Sequence, residues 1–173
     1  MAGIDHVVIP SPYEEPAHSD DLRDPQIFAE EVALGKAMAV FHEEQQQKIV
    51  LGADTIGIID GHVLEKPKDR ADAKRMLKLM SGKTHQVLTA IAICAPDREP
   101  VVESVITHVT FRQLSEEEIE HYLDKADYRD KAAAYAIQGL ASMFVRHIDG
   151  EYFNVVGLPI CRVAERLKEL EGA

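Results

Sequence analysis

The sequence predicts an α/β protein: a single mixed α/β domain, with a mixed sheet and flanking helices. Three observations carry this. The chain has 173 residues, 46% of them apolar and 28% charged, which is enough for one domain with a sizeable core. Period-two apolar runs alternate along the chain with segments of helical period. No internal repeat, low-complexity tract or linker divides it, so 1–173 reads as one domain.

The elements follow in order. Ile4 to Ile9 reads as a short strand, running into a loop set by Pro10, Pro12 and Pro16 that carries Glu14 and Glu15. By sequence alone these acids fit an ordinary solvated loop. Asp24-Pro25 pairs an N-cap with proline at the first helical position, opening a helix to about Glu44 with Leu34, Met38 and Phe41 on one apolar face. Lys36 falls instead among Ala29, Val32, Ala33 and Val40. Two readings stay open there: a lysine that snorkels to water, and an ammonium delivered into a pocket.

Ile49, Val50 and Leu51 lead into the stretch around which the chain is organised, Gly52 to Lys66. Asp60-Gly61 is a type I′ hairpin signal, because both central positions of that turn need positive φ. Continued outward, this register pairs Ile59 with His62 and Thr55 with Lys66. It brings the Asp54 carboxylate, the Thr55 hydroxyl and the Lys66 ammonium to one end of a sheet. Strict alternation puts Asp54 on the face opposite Thr55 and Lys66, so the ladder must end or bulge if Asp54 and Lys66 are to serve one ligand. A solvated charge pair at the hairpin mouth is the plainer alternative.

Asp69 and Asp72 cap a helix with Ala73, Met76, Leu77 and Met80 on its inner face, ended by Gly82. Residues 84–95 and 101–112 are two long strands, the first apolar on both faces and therefore central. Ser115 with Glu118 forms a capping box for a short helix through Leu123. Residues 131–136 are helix-prone, 143–149 form a strand turned back by Asp149-Gly150, and 155–159 form a small-residue bend. Pro159 starts a last helix with Ile160, Val163, Leu167 and Leu170 inward.

Composition excludes several classes. The formal net charge of −11 repels nucleic-acid backbones, and the lack of tryptophan weakens any single-strand stacking surface, so no nucleic-acid polymer is an expected partner. No apolar run reaches membrane-span length and no signal peptide opens the chain. Cys94 and Cys161 lack metal-ligand spacing and read as reduced core thiols of a cytoplasmic protein. There is no Gly-x-Gly-x-x-Gly and no Walker A loop, and the eight histidines are scattered singly. An acidic chain that binds a polyanion must concentrate its cations locally, which gives Lys36 and Lys66 their weight.

Gly52-Ala53-Asp54-Thr55 with Lys66-Pro67 closely resembles the signature of the Maf family, nucleoside triphosphate pyrophosphatases. The match continues through Ser81 to Val87, Asp130 to Gly139 and Asn154 to Pro159, in order and suitably spaced over most of the chain. The resemblance implies a Maf/ITPase-like fold and a cytoplasmic enzyme that hydrolyses nucleoside triphosphates to monophosphate and pyrophosphate with a divalent metal cation, Mg or Mn. Thr55 and Ile137-Gln138-Gly139 look like the branch that acts on dTTP and UTP. By the same resemblance, Asp54 matches the catalytic base, and Lys36 and Lys66 match phosphate-facing lysines. Glu15 matches a loop acid that joins Asp54 at the metal, and Thr55 and Gln138 match positions tied to base choice. A homodimer is compatible with it.

The family's opening strand and Ser-x-Ser-Pro-Arg-Arg loop have no counterpart in this sequence, and alanine stands at 90, 133 and 136 where the family commonly has glycine. These departures imply a domain without its first strand and phosphate loop, through either a truncated start or a version that is itself weak or inactive. The alternative expectation is a weakly active or inactive nucleotide-binding or interaction protein of the same fold.

Overall fold

The structure, a computed structural model, describes residues 3–16, 24–44 and 46–172. Its elements are α1 (Pro25–Glu43), β1 (Val50–Ile59), β2 (His62–Leu64), α2 (Arg70–Met80), β3 (Thr84–Cys94), β4 (Val101–Phe111), α3 (Glu116–Lys125), β5 (Val145–Asp149), α4 (Tyr152–Val156) and α5 (Ile160–Glu171), with 3₁₀ turns at Ala132–Ala134 and Leu140–Met143. The class is α/β: a five-stranded sheet in the order β2-β1-β3-β4-β5, flanked by helices. Strand directions, expected to be mixed, are antiparallel in the β1–β2 pair, a tight hairpin, and in the β4–β5 pair, which α3 and the two 3₁₀ turns connect. β3 lies in the middle of the order and is buried from Val87 onward, as its two-faced apolar run requires.

The chain gathers into two compact units: Met1–Asp54 with Thr89–Val105 and Gly157–Ala173, and Thr55–Leu88 with Ile106–Val156. In the first, α1 starts where Asp24 accepts from the Gln26 backbone N–H, and it buries Phe28, Ala29, Val32, Ala33, Ala37, Val40 and Phe41. Its face meets β1 at Gly52, where an added Cβ would stand 2.5 Å from the Ala33 carbonyl oxygen and 2.8 Å from the Ala37 nitrogen. Cys94 at the end of β3 donates to the Met38 sulfur at 3.4 Å, and Ser104 of β4 donates to Glu30 at 2.6 Å. α5 is tied to β4 by two bonds from Arg166 to Glu103, at 2.9 and 2.8 Å.

In the second unit the type I′ turn forms as expected, with φ 51 at Asp60 and 80 at Gly61. The ladder pairs Ile59 with His62, Ile58 with Val63 and Gly57 with Leu64, and β2 ends there. α2 buries Ala73, Met76, Leu77 and Met80, and α3 opens on the Ser115–Glu118 capping box. These helices share a core with Ile59, Val87, Val109, Phe111, Tyr128 and Tyr135. Arg70 and Lys74 of α2 meet Glu116, Glu120 and Asp124 of α3 along their outer edge.

Four local expectations change. Residues 4–9 join no ladder, and Val7 and Val8 are 85% and 83% exposed; an apolar run makes a strand only when a neighbour supplies hydrogen bonds. The helix-prone segment 131–136 makes only a 3₁₀ turn, with Ala133 at φ 55 and Ala134 at φ 59, because the Ala133 N–H donates to Glu65 rather than up a helix. Tyr152–Val156 is a one-turn helix ahead of the bend at Gly157. Cys94 is buried but Cys161 is exposed, and no disulfide joins them.

His85 is a titratable side chain buried against this core. Its Nε2 lies 2.8 Å from the Tyr135 hydroxyl, its ring meets Phe111 and Tyr135 edge-on, and its Nδ1 has no partner among the described residues. Burial lowers its pKa from 6.5 to about 4. The neutral ring is therefore the folded form, and the stability it secures is present above 6.5 and is lost as pH falls from there toward 4. Unfolding in urea should lose about 2 kcal/mol between about pH 7 and about pH 5, and His85→Gln should remove most of that slope. An unchanged slope in the variant would show that another group controls the acid limb.

Candidate active site

The sequence-identified residues fall into two sets. Glu15, Lys36 and Asp54 belong to the first compact unit, and Thr55, Lys66 and Gln138 to the second.

Asp54 lies on β1 two residues beyond Gly52, hence on the same face of the strand. Because glycine and two alanines let α1 approach closely at that point, the side chain next to Ala37 reaches the next inward position of the strand. Lys36 Nζ donates to Asp54 Oδ1 at 2.8 Å and lies 2.8 Å from Glu15 Oε1. Lys36 therefore does not snorkel. Its side chain is 21% exposed and that of Asp54 12%, so the pair is largely withdrawn from water. Burial by itself lowers the Lys36 pKa, but the hydrogen bonds and charges of Asp54 and Glu15 outweigh it and raise the ammonium above its ordinary 10.5.

Two carboxylates thus meet one ammonium nitrogen. Magnesium typically takes one or two protein carboxylates and leaves its other positions to water and phosphate, so Glu15 and Asp54 fit it. Among the described residues no cluster of three or more His, Cys, Asp or Glu offers a larger donor set.

In the second unit, Thr55 is half-buried on β1 and shares its face with Gly57. An added Cβ at Gly57 would stand 2.8 Å from the Ala133 Cβ, so the 132–134 turn rests on this face of the strand. The Ala133 N–H donates to the Glu65 carbonyl oxygen at 3.1 Å, where further β1–β2 pairing would otherwise run. The ladder thus ends at the Gly57–Leu64 pair, before Lys66. Lys66 is exposed, and no carboxylate pairs with it among the described residues. Gln138 is exposed between buried Ile137 and Gly139, whose φ is 83. The segment that carries Gln138 is therefore pinned beside the backbone that carries Lys66.

Sequence reasoning passed over Ser11, Tyr13 and Gly35, which surround Lys36. The available signal was a glycine within an alanine-rich helix, where only a close approach favours it.

Fold and site together define an α/β protein with an ammonium-bridged carboxylate pair. A family model, Maf-like protein, matches residues 1–170. The chain belongs to the Maf family. It is 46% identical over 158 residues to a dTTP/UTP pyrophosphatase of Koribacter versatilis, covering 89% of this chain and 81% of that protein. It is 45% identical over 169 residues to one of Bacillus anthracis, covering 98% and 86%. With one of Bacillus cytotoxicus it shares 49% over 140 residues, 81% and 72% of the two chains.

Lys36→Met would leave two carboxylates facing each other, one of them mostly buried. At neutral pH the substitution should cost about 1.5–3 kcal/mol in denaturant unfolding, the range for charge-assisted bonds. Because the Lys36 pKa is raised, this contribution is complete below 10.5 and disappears as pH rises through the folded value, so parent and variant should converge there. Equal stability at neutral pH would show that the pair contributes nothing to folding.

Proposed function

We propose that this chain hydrolyses pyrimidine nucleoside triphosphates, dTTP and UTP, to the nucleoside monophosphate and pyrophosphate. The observation that carries the reading is the Glu15–Lys36–Asp54 cluster, in a chain that shares 45% identity over 169 residues with a dTTP/UTP pyrophosphatase. In this reaction water forms a new P–O bond, the anhydride between the α and β phosphates breaks, and the water proton passes to a base. Asp54 is that base. One of its oxygens is held by Lys36, and its second oxygen is left to orient and deprotonate the water. Lys36 and Lys66 offset phosphate charge, which matters most on a chain of net charge −11.

Glu15 and Asp54 would hold a divalent cation, Mg or Mn, which when bound neutralises phosphate charge. Thr55 and Gln138 choose the base. A primary amide can donate to a carbonyl and accept from an imide N–H of uracil or thymine at once. Guanine presents a different pattern, and a mismatched site leaves polar groups unpaired at ~1–3 kcal/mol each. Two cysteines not joined by a disulfide fit a cytoplasmic setting, and among the described residues no helix is long and apolar enough to cross a membrane. A weakly active nucleotide-binding protein is the alternative, and no specific observation favours it.

Pyrophosphate release measured across the common triphosphates tests the reading. dTTP and UTP should be preferred over ATP and GTP, and Gln138→Ala should flatten that preference. An equal response to purines, or a preference for 7-methyl-GTP, would overturn the assignment of base choice. Asp54→Asn should abolish turnover while nucleotide binding stays within about tenfold, roughly 1.4 kcal/mol. Turnover of Asp54→Asn at the parent rate would remove Asp54 as the base.

A further inference from the structure

Glu15 meets Lys36 through an ion pair at the edge of the protein. Its side chain is 43% exposed, and a pair of that kind holds a loop weakly and yields to salt. The structure supplies other anchors on the same loop. Ser11 Oγ donates to the Lys36 carbonyl oxygen at 3.0 Å, and the Tyr13 N–H donates back to Ser11 Oγ at 3.3 Å. The Tyr13 ring lies over Gly35, where an added Cβ would stand 2.4 Å from two ring carbons and 2.8 Å from a third. Gly35 lies inside α1 among Ala33, Ala37 and Ala39, and alanine would favour the helix more. What glycine provides at this turn is room for the ring.

We propose that Tyr13, seated in the notch at Gly35 and latched by Ser11, is a positioning residue that holds Glu15 on Lys36 and so completes the carboxylate pair with Asp54. The loop then grips one lysine at its carbonyl, at the preceding residue and at its ammonium. That the completed pair serves a divalent cation rests on the pyrophosphatase reading above; the seating of the loop does not.

Gly35→Ala is the informative substitution. It raises helix propensity, so a fall in global stability is not expected, yet its Cβ collides with the ring and should unseat the loop. The first readout needs no metal or substrate: titration of the Lys36 ammonium by NMR, and exchange of the Tyr13 amide hydrogen. Gly35→Ala and Tyr13→Ala should each lower the Lys36 titration toward that of Glu15→Ala and speed the exchange at least tenfold. Tyr13→Phe keeps the ring and should match the parent. The Tyr13→Ala/Gly35→Ala double variant should shift no further than either single, because both remove one contact.

The second readout is pyrophosphate release against magnesium concentration. The half-saturating concentration should rise about tenfold in Gly35→Ala, with the rate at saturating metal largely kept. A Lys36 titration and Tyr13 exchange unchanged in both single variants would overturn the proposal. A changed titration in a protein that releases no pyrophosphate, parent included, would support the seating and defeat the pyrophosphatase reading instead.

Discussion

The approach of α1 to β1 at Gly52 is the constraint on which the site depends. A side chain at 52 would overlap the helix backbone at Ala33 and Ala37, so the contact exists only because three small residues meet. At that distance the residue before Ala37 and the residue two beyond Gly52 come within bonding range, and they are Lys36 and Asp54. Burying a lysine and an aspartate so near a backbone contact carries a desolvation cost, which direct hydrogen bonding offsets. The packing of the helix and the placing of the charged pair are thus one event.

A comparable logic operates in the second unit. β1 carries Gly57 where the 132–134 turn needs room, and Ala133 completes the hydrogen bonding that β2 abandons at Leu64. Ala133 and Ala134 adopt left-handed conformations that cost roughly 1–2 kcal/mol each for a residue with a Cβ. Both are almost wholly buried, and the segment continues into Tyr135, bonded to His85. Burial and hydrogen bonds over-determine a backbone that local preference opposes, as is common where a segment presents a side chain for recognition. Gln138 sits just beyond this strained, anchored stretch.

The two lysines singled out on this acidic chain are in opposite electrostatic states. Lys36 is neutralised by Asp54 and Glu15, whereas Lys66 is exposed and without a carboxylate partner among the described residues. An ion pair at rest keeps a buried cation folded in place, and a solvated one is free to meet an incoming anion. Ion pairs elsewhere, such as those joining α2 to α3, lie at the surface and contribute modestly.

Much of this was legible in the residues. Asp24-Pro25, Asp69 with Asp72, and Ser115 with Glu118 mark helix starts through bonds made within a few residues. Asp60-Gly61 sets the hairpin register for the same local reason, and the two-faced apolar run of β3 names the central strand. The motifs around Asp54, Lys66 and Gln138 also identify the family. Three things depended on the tertiary structure. Whether Ile4 to Ile9 is a strand depends on a partner for its backbone, and none of the described residues pairs with it. Whether 131–136 is a helix was decided by Glu65, distant in sequence, which takes the Ala133 N–H. Whether Lys36 reaches water or Asp54 was left open by helical spacing, because the choice turns on an interhelix-to-strand distance set by Gly52 and on a loop seated at Gly35. Local bonding is written in adjacent residues; which distant group claims a donor, a notch or an ammonium is settled only when the chain has packed.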